Sequence, residues 1–239
     1  LDITQFNRQN INYTTLKRSL LIEFLKETLF TDTIQFNKKI EKINYFNSKV
    51  EITFKNDTTE IFDYLVVADG VFSLTKSILF DTNIKPKYSG SLAIRALIKK
   101  ENLKFLNEKN ISLFFGPKIH LVIYPVNSKS EFNLVIIARR SLSDENFFKN
   151  EANIKEFIKD SIIQKNSKFK NFFENVENIK CFPTFISDKI RSFSQKNTFF
   201  LGDAFYASLP TFAQGASQSI ESAYELYNTL DKNNFNEYF

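Results

Sequence analysis

The apolar positions of this chain change period several times, and each change marks an element. Leu16, Leu20, Leu21, Phe24, Leu25 and Leu29 recur at helical spacing, which predicts a helix from Tyr13 to Phe30 capped by Thr14 or Thr15. Short β segments are expected at Thr33–Phe36, Lys42–Asn47, Val50–Phe54 and Glu60–Phe62, with Asn47-Ser48 and Asn56-Asp57 as turns. Tyr64-Leu65-Val66-Val67-Ala68 is a continuous apolar run and predicts a strand buried on both faces, as in a parallel sheet. It stops at Asp69-Gly70, and Ser73–Phe80 predicts a short helix.

From Ser91 the pattern lengthens. Leu92–Ile98, Ile111–Phe115, Ile119–Tyr124 and Phe132–Ala138 read as strands of one antiparallel sheet, broken at Gly116-Pro117 and at the polar stretch Asn127–Ser130. Asp144–Phe173 predicts a helix with Phe147, Phe148, Ile154, Phe157, Ile158, Ile162 and Ile163 on its buried side. A strand at Cys181–Pro183, a strand at Thr198–Leu201 and a helix at Gln214–Leu230 complete the pattern, with no internal repeat and no low-complexity linker. Leu65–Gly70 and Phe199–Asp203 share one form, an apolar strand running into a small acidic turn, although they lie far apart in the chain. Both are expected in one cofactor-binding domain of α/β (α+β) class, with the antiparallel sheet inserted as a second domain.

Composition narrows the partners. The 239 residues are 43% hydrophobic and 25% charged, as in an ordinary globular protein of one large or two small domains. The net charge of +5 is modest, and the charges are interspersed rather than blocked, so no nucleic-acid surface is expected. No apolar run reaches the roughly 18–20 residues of a membrane span, and no signal peptide opens the sequence. The single Cys181 excludes an intrachain disulfide, suits a cytoplasmic location, and reads as a small half-buried apolar side chain. With one His and no Cys cluster, no metal site is expected. The chain has no Met and begins at Leu1, which reads as a piece of a longer product.

The chemistry concentrates near the C-terminus. Phe199-Phe200-Leu201-Gly202-Asp203-Ala204 leads through Pro210-Thr211-Phe212-Ala213-Gln214-Gly215-Ala216 into a helix from about Ser217. That layout offers backbone N–H groups and a helix dipole to an anion or a polar ring edge, and places the Asp203 carboxylate where it can hold a ribose hydroxyl. A nucleotide cofactor is the first hypothesis.

Asp63-Tyr-Leu-Val-Val-Ala-Asp69-Gly70-Val-Phe-Ser73-Leu-Thr-Lys76 is similar to the Asp-Gly motif of the FAD-dependent aromatic-ring monooxygenases, the flavoproteins that resemble p-hydroxybenzoate and salicylate hydroxylases. Leu201-Gly202-Asp203-Ala204, Pro210 and Gln214-Gly215-Ala216 through Ala223 resemble their second flavin motif, and the likeness runs from about Ile11 to Tyr238. The resemblance implies FAD-binding segments at 1–88 and 184–239 around a substrate domain at 89–183, within an incomplete Rossmann-like domain. The family's opening βαβ unit with Gly-x-Gly-x-x-Gly is not found in the sequence. It implies flavin contacts by Arg18 (with Lys17 as the competing alignment), Asp69, Gly70, Gly202, Asp203, Pro210, Gln214, Gly215 and Ala216. Arg95 and Tyr124 would contact substrate, and Tyr124 shares one strand face with His120 and Val122. Lys76 stands where the family has Arg, so it keeps a point charge without the bidentate geometry. The implied activity is hydroxylation of an aromatic or quinone-like molecule with FAD, NAD(P)H and O2. A related reductase or halogenase, and a non-catalytic piece unable to retain FAD, remain the alternatives.

Overall fold

A computed structural model describes residues 15–231 apart from 31–32, 104–105, 108–109, 127–130, 142–148, 165, 167–168, 175, 188–192, 194–196 and 211–212. In chain order, α1 (Arg18–Glu27) precedes β1 (Ile40–Phe46), β2 (Lys49–Phe54), β3 (Thr59–Phe62), β4 (Leu65–Val67) and α2 (Leu74–Leu79). Four long strands follow: β5 (Lys87–Lys99), β6 (Ser112–Gly116), β7 (Ile119–Val126) and β8 (Glu131–Arg139). The order closes with α3 (Glu151–Ile158), α4 (Lys170–Glu174), β9 (Lys180–Ile186), β10 (Thr198–Phe200), α5 (Gly202–Phe205) and α6 (Gly215–Asp231). The chain divides into two compact units, Leu1–Thr31 with Gly90–Thr184 and Asp32–Ser89 with Phe185–Phe239.

In the first unit, one five-stranded sheet runs in the order β6-β7-β8-β5-β9. Strict alternation along β7 and β8 buries Leu121, Ile123, Leu134 and Ile136 on one face, as a period of two requires. Those side chains form a core with Ile154, Ile158, Phe172 and Phe173 of α3 and α4. Lys180–Ile186 extends the predicted Cys181–Pro183 strand and supplies the sheet's fifth member.

The long helix predicted over Asp144–Phe173 is divided. Asn150 caps α3 by accepting the Ala152 N–H at 2.9 Å, and a π turn at Lys159–Ile163 follows before α4. The Asn166 N–H returns to the Ile162 and Ile163 carbonyls, a local closure suited to a residue of low helix propensity. Phe147 and Phe148 lie outside the described residues.

Helix α1 falls in this unit rather than with the 32–88 segment. Thr15 donates its hydroxyl to the Pro125 carbonyl at 2.5 Å instead of capping the helix, and Lys17 pairs with Glu131. The helix therefore starts at Arg18; Tyr13 and Thr14 lie outside the described residues. None of its residues is buried, and the predicted stripe of Leu20, Phe24, Leu25 and Leu29 is exposed. Period alone predicts the helix but not what its apolar face meets.

The second unit holds a three-stranded antiparallel sheet, β1-β2-β3, and a parallel pair, β10-β4. Val50, Ile52, Phe54, Leu65, Val67 and Phe200 form its core. The hydroxyls of Tyr45 and Thr198 share a 2.7 Å hydrogen bond, and burial pushes the Tyr45 pKa upward. Two expectations change here. Thr33–Phe36 is irregular, with Ile34 and Phe36 exposed and the strand starting only at Ile40. β4 is buried on one side only, since Leu65 and Val67 point inward while Val66 is exposed. A two-stranded sheet among the described residues does not cover both faces.

Candidate functional site

The two acidic turns meet through a parallel ladder. β4 and β10 pair Leu65 with Thr198, Val66 with Phe199 and Val67 with Phe200, and the Leu201 N–H donates to the Val67 carbonyl at 2.9 Å. Both strands therefore end at the same edge, one in Asp69-Gly70 and the other in Gly202-Asp203. Carboxyl ends of neighbouring parallel strands are where open α/β sheets seat their ligands.

Gly202 opens α5 at φ +54°, a left-handed conformation. A Cβ there would lie 2.8 Å from the Ser219 hydroxyl of α6, so only a residue without one lets the two helices approach this closely. Between them lies a cleft of about 330 Å³ lined by Gly202, Asp203 and Gly215 together with Tyr206, Ser208, Ser219 and Ser222. Asp203 is exposed in the first turn of α5. Gly215 begins α6, whose first-turn N–H groups have no intrahelical partner and carry the positive end of the helix dipole. The predicted short loop between motif and helix thus begins with a turn of helix. Ala213, at φ +54°, donates its N–H to the Pro210 carbonyl, and Pro210, Gln214 and the exposed Ala216 do not line the cleft.

Asp69 and Gly70 do local work. The Asp69 carboxylate accepts the Thr75 N–H at 3.1 Å, Ser73 caps α2 through the Lys76 N–H, and Gly70 at φ +82° accepts the Ser73 N–H. Lys76 is only 2% exposed. Burial pushes its pKa down, and the Asp69 charge partly restores it.

In the first unit, the sheet face opposite the core carries Arg95, Tyr124 and His120. Arg95 is exposed and sits across from Val135; Tyr124 is half-buried and sits across from Asn133, whose Nδ2 donates to the Tyr124 hydroxyl oxygen at 2.6 Å. Arg18 is exposed at the start of α1, while the alternative Lys17 is engaged with Glu131. His120 is half-buried beside Phe115, and burial lowers its pKa below the usual 6.5. A base with a depressed folded pKa stabilises the fold above its unfolded pKa and loses that contribution as pH falls through the folded value. His120→Gln is therefore expected to unfold less readily than the native chain at pH 5, with no difference at pH 8; urea titrations at both values test this.

Cys181 is half-buried, and burial raises its thiol pKa to about 11 against the lowering influence of Arg140. The nucleophilic thiolate is scarce at neutral pH. Folded protein at pH 8 is expected to react with iodoacetamide at least tenfold more slowly than urea-unfolded protein. Among the described residues, no group of three or more His, Cys, Asp or Glu is placed to hold a metal ion.

The chain is similar to several known proteins. No described family profile matches the chain. It is 26% identical over 211 residues to 3-hydroxybenzoate 6-hydroxylase 2 of Aquipseudomonas alcaligenes, spanning 88% of this chain and 64% of that protein. It is 20% identical over 240 residues to the salicylate hydroxylase of Pseudomonas putida, spanning 92% and 54%. The fold superposes on a variant of Klebsiella pneumoniae HpxO complexed with FAD with a TM-score of 0.76, at 16% identity over 86% of this chain and 53% of that one. A salicylate hydroxylase substrate complex gives 0.73, at 18% identity over 87% and 55%. The relatives it matches are FAD- or flavin-dependent monooxygenases, the two aromatic hydroxylases among them. The chain spans between half and two-thirds of the length of these relatives. Among the described residues, no helix is long and apolar enough to cross a membrane.

Two groups of residues escaped the sequence reading. Gln218, Ser219 and Ser222 follow the predicted Gly215 at i+3, i+4 and i+7, the signature of one helix face, and line the cleft with it. Asn133 becomes visible only when the β7–β8 register sets it opposite Tyr124.

Proposed function

We propose that this chain carries the flavin-ring side and the substrate sheet of an FAD-dependent monooxygenase that hydroxylates a small aromatic or quinone-like molecule with NAD(P)H and O2. The observation that carries the reading is the convergence of Asp69-Gly70 and Gly202-Asp203 at one edge of a parallel strand pair, the second of them opening onto a cleft that ends at the start of α6. The fit is chemical as well as topological. A Cβ at Gly202 would fill part of the cradle, and the wall is rich in hydroxyls around a single carboxylate.

Asp203 would accept hydrogen bonds from the cofactor's ribityl or ribose hydroxyls, and the Gly215 and Ala216 amides would face the polar edge of its ring. The dipole of α6 favours negative charge at that place. Gly202, Pro210 and Gln214 would shape the approach, and Asp69 and Gly70 would hold the turn at the same strand edge, while Arg18 lies in the other unit. When bound, FAD supplies two-electron uptake from the nicotinamide donor and transfer of one oxygen atom from O2. Tyr124 already accepts a hydrogen bond from Asn133, so its own proton is free to go to a substrate oxygen, and Arg95 suits an anionic substituent. In domain terms, the unit of Asp32–Ser89 and Phe185–Phe239 serves the cofactor and the unit of the five-stranded sheet serves the substrate.

Titration with FAD, followed by flavin fluorescence, tests this reading. It should be run on the chain as it stands and on the chain joined to an N-terminal Gly-x-Gly-x-x-Gly βαβ unit. Asp203→Ala is expected to weaken binding about tenfold or more, and Asp69→Asn to weaken it less. Flavin binding indifferent to Asp203, or no binding in either form, would sink the proposal. Reduction by NAD(P)H without any hydroxylated product would favour the reductase alternative.

A further inference from the structure

A second cleft, of about 450 Å³, lies in the unit of the five-stranded sheet. Its size falls within the roughly 300–1,000 Å³ of small-molecule sites. Two helical stripes face it. Lys155, Ile158, Lys159 and Ile163 come from α3 and the π turn, and Lys170, Phe173 and Glu174 come from α4. Ile179, just before β9, completes the lining.

Floor and rim differ sharply in chemistry. Ile158, Phe173 and Ile179 are buried core residues, so the floor is apolar and continuous with the sheet's own core. The rim is cationic. Lys155 is held by Glu151 at 2.9 Å, whereas the side chains of Lys159 and Lys170 make no ion pair or hydrogen bond with a described residue. Glu174 adds one negative charge at the same rim, which opposes a polyanion but leaves the two lysines room for a single negative group. The π turn is a second mark of the place. The Gln164 N–H reaches back to the Lys159 carbonyl at 3.0 Å, and Gln164 Nε2 ties to Asp160 Oδ1 at 2.9 Å. Such turns recur at functional sites, where they re-aim the side chains of one helix face.

We propose that this cleft binds a single-chain amphiphilic monoanion, with its apolar chain over Ile163 and the aliphatic stem of Lys155, above the buried Ile158, Phe173 and Ile179, and its carboxylate at Lys159 and Lys170. The proposal does not depend on the flavin reading. An apolar chain explains a floor that offers no polar partner, and one anionic head explains two lysines that pair with no described residue beside one glutamate.

Isothermal titration of the full chain with octanoate, decanoate and 1-decanol, each below its aggregation concentration at pH 8, tests the assignment. One decanoate should bind per chain, with affinity rising roughly fourfold per methylene from octanoate. The neutral alcohol should bind at least tenfold more weakly. The exposed α1 stripe is a competing greasy surface, and the double substitution Lys159→Glu with Lys170→Glu separates the two. It should weaken decanoate at least tenfold while leaving decanol binding and the thermal midpoint unchanged. Equal binding of acid and alcohol, several weak sites indifferent to the lysines, or no saturable binding would each overturn the proposal.

Discussion

Gly202→Ala is expected to destabilise the unit of Asp32–Ser89 and Phe185–Phe239 by about 2–3 kcal/mol, measured by urea unfolding. Two costs combine. Holding a residue with a Cβ in the left-handed region costs roughly 1–2 kcal/mol, and Gly202 sits there at φ +54°. The new methyl would also lie 2.8 Å from the Ser219 hydroxyl, which is not idle, since it donates to the Gly215 carbonyl at 2.8 Å. Turning it away forfeits a hydrogen bond worth about 0.5–1.5 kcal/mol. A double-mutant cycle separates the terms. Ser219→Ala removes the crowding but not the backbone strain, so Gly202→Ala should cost less in its presence. Additive costs in the cycle would mean that the close approach of α5 and α6 is not what excludes a side chain. If the cleft between these helices holds a flavin, the same substitution should also lower its retention.

The largest loss of stability is expected from Leu134→Ala, at about 2–5 kcal/mol. Leu134 is fully buried at the middle of β8, in register with Ile123 of β7 and Ala96 of β5, and it belongs to the core beneath α3 and α4. Removing its isobutyl group leaves a void where a rigid sheet and two short helices have little freedom to collapse. Leu134→Met conserves volume and should cost less than about 1.5 kcal/mol. Chemical denaturation followed by hydrogen exchange at β7 and β8 amides checks both. An alanine variant as stable as the methionine variant would show that this layer can repack.

The sequence carried the parts of the fold that repeat locally. β7 and β8 alternate cleanly because one face is core, and that alternation placed His120, Val122 and Tyr124 together on the other face. The motif pair at the ends of β4 and β10 was legible because each strand ends abruptly in a small acidic turn. What escaped depends on partners distant in the chain. The α1 stripe has the right period and lies exposed, while Thr15, expected as a cap, is drawn to Pro125. Val66 sits in an unbroken apolar run yet faces outward, because the run says nothing about how many layers cover the sheet. The break between α3 and α4 comes where Gln164 and Asn166 return their N–H groups to the Lys159, Ile162 and Ile163 carbonyls, inside a stretch still rich in Ile and Phe. Asp69 shows the limit for sites: its place at the end of β4 follows from the motif, but its carboxylate is engaged with the Thr75 amide.

The parallel pair has a consequence for the order in which the molecule can be assembled. Asn197 reaches the Asp63 carbonyl across 134 residues, and Tyr45 reaches Thr198 across 153. Hairpins such as β7–β8 close between near neighbours, whereas this ladder must close a loop more than a hundred residues long before its contacts repay the lost chain entropy. On a chain emerging from its N-terminal end, β4 cannot pair with β10 until about 130 further residues have followed, and the cleft exists only once α6 is made. The hairpin sheet can close early; the parallel edge is completed only after it.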